Sequence, residues 1–313
     1  MSGKSDRPVP WRHRAEYALG RALQEAVCAL PEGAADAFGG ALGSLVHAPL
    51  GIRRGVVAEN LRHAFPDADA AWIDRITRAA YRHLGREATS LLRLARLDAA
   101  TLVARSDFAG DSWAVLEAAR AEGRGVILYS GHYGNWELAA AAIAARGVPF
   151  VAVAKRMSNR RVDARLTETR ARLGVDTIDM ADAPRGVPRA LRSGRVVGMV
   201  ADQDARASGV WAPFFGRPAS THRGPALFAL RFGAPIVAGF AQRLPGRPAR
   251  YRISLERVPV TASGDLEADV RGLAAELNAR LEAVVRADPG QYFWFHKRWK
   301  TLPPAELAAL PPV

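Results

Sequence analysis

The sequence predicts an α/β fold: a largely parallel central sheet flanked by helices, with an N-terminal helical layer. Helical periodicity runs through about the first third of the chain, whereas after Asp107 short apolar runs alternate with segments of helical period. Strands that alternate with helices in this way build a parallel sheet with helices on its faces. The 313 residues, 49% hydrophobic and 24% charged, are enough for a sizeable core and exclude disordered and fibrous classes. The texture divides the chain into an N-terminal helical region, 1–105, and an α/β body, 106–313, expected to pack as one unit.

Near the start, Leu19, Leu23, Ala26, Val27 and Leu30 share one helical face, and Phe38, Ala41, Leu42 and Leu45 form a second stripe beyond Pro31. That pattern predicts two short amphipathic helices. Arg21, Glu25, Glu32 and Asp36 recur through the same stretch, so it offers no window of roughly 18–20 apolar residues for a membrane span. The two helices either pack on the body or lie on a bilayer with Trp11, Arg12 and Arg14 at the headgroups. The first residues, Met1 to Arg14, are polar and carry no secretory pattern. Helical spacing continues from Arg53 to about Leu97, through Val57, Leu61, Phe65, Trp72, Ile76, Tyr81 and Leu84. Strands are expected at Val126–Tyr129, Phe150–Ala154, Val196–Ala201, Ile236–Phe240 and Tyr251–Val258. Helices are expected at Trp136–Arg146, Arg161–Leu173, Gly224–Phe232 and Leu266–Ala287.

A formal charge of +13 points to an anionic partner: nucleic acid, an acidic protein or a membrane surface. The single cysteine, Cys28, cannot close an internal disulfide or build a zinc site alone, which fits a reducing compartment and a small buried apolar residue. The closing segment, Tyr292 to Lys300, interleaves aromatics with cations. By itself it reads as an interfacial belt or a single-strand nucleic-acid surface, but no nucleic-acid motif accompanies it elsewhere.

The chemistry concentrates where the strand at Val126–Tyr129 gives way to Ser130-Gly131-His132-Tyr133-Gly134-Asn135-Trp136-Glu137. Five positions are about 140° of helix, so His132 and Glu137 share a face only if His132 sits on the turn and Glu137 in the first helical turn. Glu137 is then expected to reach back to one ring nitrogen and hold the tautomer, leaving the other nitrogen to take a proton from a hydroxyl. The structural alternative is a capping or core histidine beside an ordinary first-turn acid. No second histidine completes a His-Glu-x-x-His metal pattern nearby. Arg156 and Arg170 offer planar forks for phosphate, or are solvated surface arginines. Asp202, Gln203 and Asp204 follow an expected strand, at the carboxyl end where open sheets place ligands. Phe214, Phe215 and Gly216 read as a hydrophobic wall with a glycine bend, either lining a substrate channel or packing the core.

The segment Ser130 to Glu137 resembles the His-x4-Asp/Glu motif of glycerolipid acyltransferases, specifically the lipid A biosynthesis (late) acyltransferase family. Four further blocks are similar to that family in order: Arg53-Arg54 through Glu59-Asn60-Leu61-Arg62 to Phe65-Pro66; Lys155-Arg156 with Asn159 and Arg170 to Gly174; Asp202-Gln203-Asp204 with Pro213 to Gly216, Ala219, Thr221 and Gly224; and Gln291 to Thr301. Phosphatidylinositol mannoside acyltransferases of the mycobacterial type share these blocks, so they leave the acceptor open.

The resemblance implies transfer of a fatty acyl chain from a thioester to a hydroxyl of a lipid A precursor or related membrane glycolipid. His132 would be the general base, Glu137 its stabiliser, and backbone N–H groups around Gly134 the oxyanion donors. Arg156, Arg170, Asp202, Gln203 and Asp204 would bind substrate. It implies no metal or other cofactor. The implied partners are acyl carrier protein or acyl-CoA as donor, an anionic lipid acceptor and a membrane surface, with no nucleic acid. The implied location is the cytoplasmic face of the bacterial inner membrane. Many family members begin with a transmembrane helix, whereas this chain is charged there, so attachment is expected to be peripheral. The alternatives are a phosphatidylinositol mannoside-type or lysophospholipid acyltransferase using acyl-CoA, and a non-catalytic acyl-carrier or lipid-binding protein. A hydrolase using the same pair lacks a Gly-x-Ser-x-Gly elbow.

Overall fold

The computed structural model describes residues 10–304, so the polar start up to Val9 and the last residues of the expected body lie outside it. Five helices precede the first strand: α1 (Trp11–Ala29), α2 (Glu32–His47), α3 (Arg54–Ala64), α4 (Ala70–Leu94) and α5 (Ala99–Ala104). Pro31 separates α1 from α2, as the break in periodicity requires. Asp69 and Asp98 start α4 and α5 by accepting from the Trp72 and Thr101 N–H groups at 2.6 and 2.8 Å. α2 and α4 cross almost backbone to backbone: a Cβ on Gly39 would lie 2.5 Å from the Gly85 carbonyl oxygen.

This close crossing is made by Ala35, Gly39 and Gly43 and not by the stripes that the periodicity picks out. Leu19, Phe38 and Leu45 are 73%, 41% and 47% exposed, while Val27 alone of its stripe is buried. Within the helical layer α2 therefore packs on α4 through small residues and leaves an apolar belt outward. Cys28 is half-buried against the Leu92 carbonyl.

The body contains β1 (Ser106–Phe108), α6 (Ser112–Ala121), β2 (Val126–Ser130), α7 (Trp136–Ala144), β3 (Phe150–Ala154), α8 (Arg160–Arg172), β4 (Val175–Asp179), α9 (Ala183–Arg192) and β5 (Val196–Val200). A hairpin of β6 (Val210–Phe214) and β7 (Arg217–Thr221) follows, then α10 (Gly224–Phe232), β8 (Ile236–Arg243), β9 (Tyr251–Val258) and α11 (Leu266–Ala287). Seven strands form one sheet in the order β1-β9-β8-β2-β5-β3-β4, parallel except for the β8–β9 pair. The central strands are continuous apolar runs because helices cover both faces.

Every expected strand forms within a few residues of its expected bounds. The edge strands β1 and β4 carry no such run, Val175–Asp179 holding only Val175 and Ile178 among Asp and Thr, whereas β6 is apolar throughout but contains Pro213, which the strand pattern passes over. The hairpin turns at Phe215 and Gly216, both at positive φ. Phe214 and Phe215 are buried against Trp299 and Trp294, so they are core and do not line a channel. The closing segment is likewise interior: Trp294, Phe295 and Arg298 are buried, and Arg298 donates to the Ser220 carbonyl and Thr221 hydroxyl at 2.6 and 2.8 Å. It forms no interfacial belt.

Candidate active site

β2 delivers the chain to the carboxyl end of the sheet, and the turn that follows is tightly tied. Gly134 has φ +56°, and a Cβ there would lie 1.7 Å from the Ala241 carbonyl oxygen, so only glycine fits. Its N–H donates to the Gln291 carbonyl at 3.0 Å, and that of Asn135 to the Ala241 carbonyl at 3.1 Å. The Tyr133 N–H is taken by the Gly131 carbonyl. These three N–H groups are occupied in holding the turn, which leaves those at the start of α7, on Trp136 and Glu137, as the part of the expected oxyanion donors that the turn does not use.

Asn135 caps α7 by accepting from the Leu138 N–H at 2.8 Å. Its amide nitrogen donates to Glu87 Oε2 at 2.7 Å, and Glu87 also accepts from Tyr251 and Arg243 at 2.9 and 2.7 Å. Arg243 reaches on to Asp36. A buried polar chain thus ties the site's turn to α4 and α2, and its full pairing is what makes burial of these charges tolerable. Nothing in the local spacing of Asp36, Glu87, Arg243 and Tyr251 announces it, because its members are drawn from four separate elements.

The imidazole of His132 sits against Trp136 and Phe293, with ring centroids 4.6 and 5.8 Å apart. Its Nδ1 lies 2.6 Å from Asp202 Oδ1, and its own backbone N–H donates to Asp202 Oδ2 at 2.9 Å. Asp202 is 2% exposed, just beyond the end of β5. Burial disfavours the charged carboxylate, but the facing imidazole and the N–H bonds outweigh it and hold the group down at about 2. For His132, burial disfavours the cation, and attraction from Asp202, aided by its hydrogen bond and by Glu137, raises the imidazole above its ordinary value. With Nδ1 held, Nε2 is the nitrogen left for chemistry.

Glu137 does not hold the ring. It lies in the first turn of α7, and its carboxylate is gripped by Arg170 of α8 through two guanidinium nitrogens, Nε at 2.9 Å to Oε2 and Nη2 to Oε1. The angle of the helix start turns Glu137 sideways toward α8, while the strand-end loop brings Asp202 beneath the imidazole. The expected pairing of Glu137 with His132 is therefore corrected, and so is the expectation of a free Arg170 fork. Arg156 is also paired, with Asp179 at 2.5 Å, and is 73% exposed. Gln203 and Asp204 do line the site, and the Asp204 N–H donates to His296 Nε2 at 3.0 Å.

His132, Glu137, Arg170, Gln203 and Asp204 all border one cavity of about 750 Å³. Lys155, Arg206 and Lys300 also border it, exposed and without a carboxylate partner among the described residues. From this polar end the cavity runs under α7 onto the sheet, where Leu128, Ile143, Phe150 and Leu255 line it. Among the described residues no group of three or more metal-ligating side chains is found, and no helix is long and apolar enough to cross a membrane.

The sequence profile described as bacterial lipid A biosynthesis acyltransferase matches residues 9–301. The chain is 28% identical over 247 residues to the phosphatidylinositol mannoside acyltransferase of Mycobacterium tuberculosis, covering 77% of this chain and 75% of the relative. It is 31% identical over 186 residues to the lipid A biosynthesis lauroyltransferase of Escherichia coli, covering 59% of each. A lipid A biosynthesis acyltransferase of Haemophilus influenzae is 27% identical over 300 residues, covering 93% of this chain and 92% of the relative. A match this long, on a chain whose His132 stands at the polar end of an apolar cavity, makes the protein an acyltransferase of the bacterial lipid A biosynthesis acyltransferase family.

Proposed function

We propose that the protein moves a fatty acyl chain from a thioester to a hydroxyl of a lipid A precursor or related membrane glycolipid, with His132 as general base. The observation that carries this reading is the His132 imidazole, oriented at Nδ1 by buried Asp202, at the polar end of the 750 Å³ cavity. Nε2 removes the hydroxyl proton as the oxygen attacks the thioester carbonyl, and the carboxylate of Asp202 stabilises the imidazolium that forms. The thiol then departs with a proton returned from Nε2. The Glu137–Arg170 pair braces α7 against α8 beside this centre. Lys155, Arg206 and Lys300 take the phosphate-gripping role first expected of Arg156 and Arg170, meeting an anionic group of the lipid acceptor or of the carrier.

Acyl carrier protein is the proposed donor, since the basic surplus suits docking to an acidic protein. Attachment to the cytoplasmic face of the bacterial inner membrane is proposed to be peripheral. Leu19, Leu23, Phe38 and Leu45 supply an outward apolar belt for it, flanked by Arg12 and Arg14. The mannoside acyltransferase among the relatives supports a second reading, with coenzyme A as carrier and a phosphatidylinositol mannoside as acceptor. Purified protein given labelled acyl carrier protein or coenzyme A thioesters, with each acceptor in turn, tests both readings. Label in a lipid A precursor is the expected result. Label only in the mannoside selects the second reading, and thioester hydrolysis or binding without transfer to any lipid overturns both.

A further inference from the structure

A second cavity, of about 550 Å³, lies between α2, α4 and the turn that joins β8 to β9, and it shares no lining residue with the active-site cavity. Its charged walls are Asp36, Arg82, Arg86, Arg243, Arg247 and Asp288, four guanidinium groups against two carboxylates. Arg82 and Arg86 stand four residues apart and so share a face of α4, where like charges at that spacing repel. Gly33 and Gly40 of α2 make room opposite them. A Cβ on Gly40 would lie 3.2 Å from Arg86 Nε, and one on Gly33 would lie 3.6 Å from Arg247 Cδ.

The two acids do not use up these cations. Asp36 gives Oδ1 to buried Arg243, while its Oδ2 stands 3.6 Å from Arg86 Nε and 3.5 Å from Arg247 Nε, both longer than a normal hydrogen bond. Arg86 Nε is buried with no acceptor among the described residues. Arg82 is exposed and has no carboxylate partner among the described residues. Asp288 accepts from Gln291 Nε2 at 2.7 Å. Three guanidinium forks therefore border one polar cavity with hydrogen-bonding capacity unspent. A phosphate matches that arrangement, because its oxygens can accept from several forks at once.

The walls of this cavity also reach the catalytic turn. Arg243 continues through Glu87 to the Asn135 cap of α7. Gln291 bonds the backbone N–H and carbonyl of Arg243 at 2.8 and 3.0 Å, and its own carbonyl accepts from the Gly134 N–H. A ligand that steadies the cavity thus steadies the outer end of two paths to the turn that carries His132.

We propose that this cavity is a second anion site, taking a phosphate group on Arg82, Arg86 and Arg247 with Arg243 as the fixed charge behind them. The site stands independently of the acyl-transfer reading, since none of its residues borders the active-site cavity. A lipid headgroup and a soluble phosphate present the same chemistry, and the test separates them.

Calorimetry measures the binding of inorganic phosphate to the full chain carrying Lys155→Gln and Lys300→Gln, which weaken the basic group of the other cavity. Saturable binding is expected, and it should fall about tenfold or more on adding Arg82→Gln or Arg247→Gln, each of which removes the charge-assisted hydrogen bonds of one fork. Both side chains are exposed, so the variants should fold, and circular dichroism checks that they do. Absence of saturable binding, or binding that the folded variants leave unchanged, overturns the proposal. Sedimentation with phosphatidylcholine vesicles, with and without phosphatidic acid, identifies the source of the phosphate. Loss of a preference for phosphatidic acid in Arg82→Gln and Arg247→Gln assigns the site to a lipid headgroup. Variants that lose inorganic phosphate but sediment like the parent protein assign it to a soluble phosphate.

Discussion

Asp202 and Glu137 flank the same catalytic turn and hold opposite positions in it. Asp202 lies seventy residues from His132 in the chain, yet both of its oxygens are committed to that residue, one to the ring and one to the backbone N–H. Glu137 lies five residues away and gives both oxygens to Arg170. The buried strand-end carboxylate acts on the proton inventory of the imidazole, whereas the helix-start carboxylate neutralises a half-buried cation and ties two helices. Nearness in sequence thus identifies the partner in the motif, and nearness in the fold identifies the partner that touches the imidazole.

The largest effect expected is for His132→Ala, which should lower transfer by about 10²-fold or more without loss of folding, as removal of a general base does. Steady-state rates together with circular dichroism check it, and near-wild-type turnover by a folded variant would end the mechanism. Asp202→Asn comes next, with a loss of about 10²-fold and a change in pH dependence. In the proposed mechanism the base is the neutral imidazole, and Asp202 raises the pH at which His132 gives up its proton, so wild-type kcat/KM should fall on the acid side of that raised value. Without the carboxylate, burial is the main remaining influence and it favours the neutral ring. The acid limb should therefore move to lower pH even as the plateau drops, and an unmoved limb would break the comparison.

Glu137→Gln sharpens the same contrast from the other side. Removing one partner of a buried pair leaves Arg170 uncompensated, which costs about 3–5 kcal/mol when burial is complete and less for side chains still 14% and 13% exposed. Thermal unfolding should show the loss, and adding Arg170→Met to Glu137→Gln should recover part of it. The acid limb should shift less than in Asp202→Asn, because Glu137 acts on the ring only across space. The smallest effect concerns the surface. Binding to vesicles should require anionic lipid and weaken with added salt, since exposed charges are screened over about 8–10 Å near physiological ionic strength. Phe38→Ala should weaken it further by removing apolar contact, and sedimentation with vesicles across a salt series measures both.

Most of the architecture was legible because central strands and helices write their burial into the local pattern. Phe150–Ala154, Gly224–Phe232 and Leu266–Ala287 form over the expected residues. Edge strands escaped, since a strand with one solvated face and one neighbour needs no apolar run. The amphipathic stripes of α1 and α2 were legible as stripes, but their direction was not: Gly39 and Gly43 bring α2 against α4, and the larger apolar residues turn outward.

At the site, composition and order determined that a histidine stands on a glycine-bearing turn between strand and helix, with an acid one helical turn on and a second acidic group after another strand. Those residues are a property of the chain. Which acid meets the imidazole and which basic side chains stay without a carboxylate partner beside the cavity were decided only in three dimensions. A hydrogen bond depends on distances of a few tenths of an ångström and on direction. Those are set by how α7, α8 and the end of β5 pack, and no spacing along the chain encodes them.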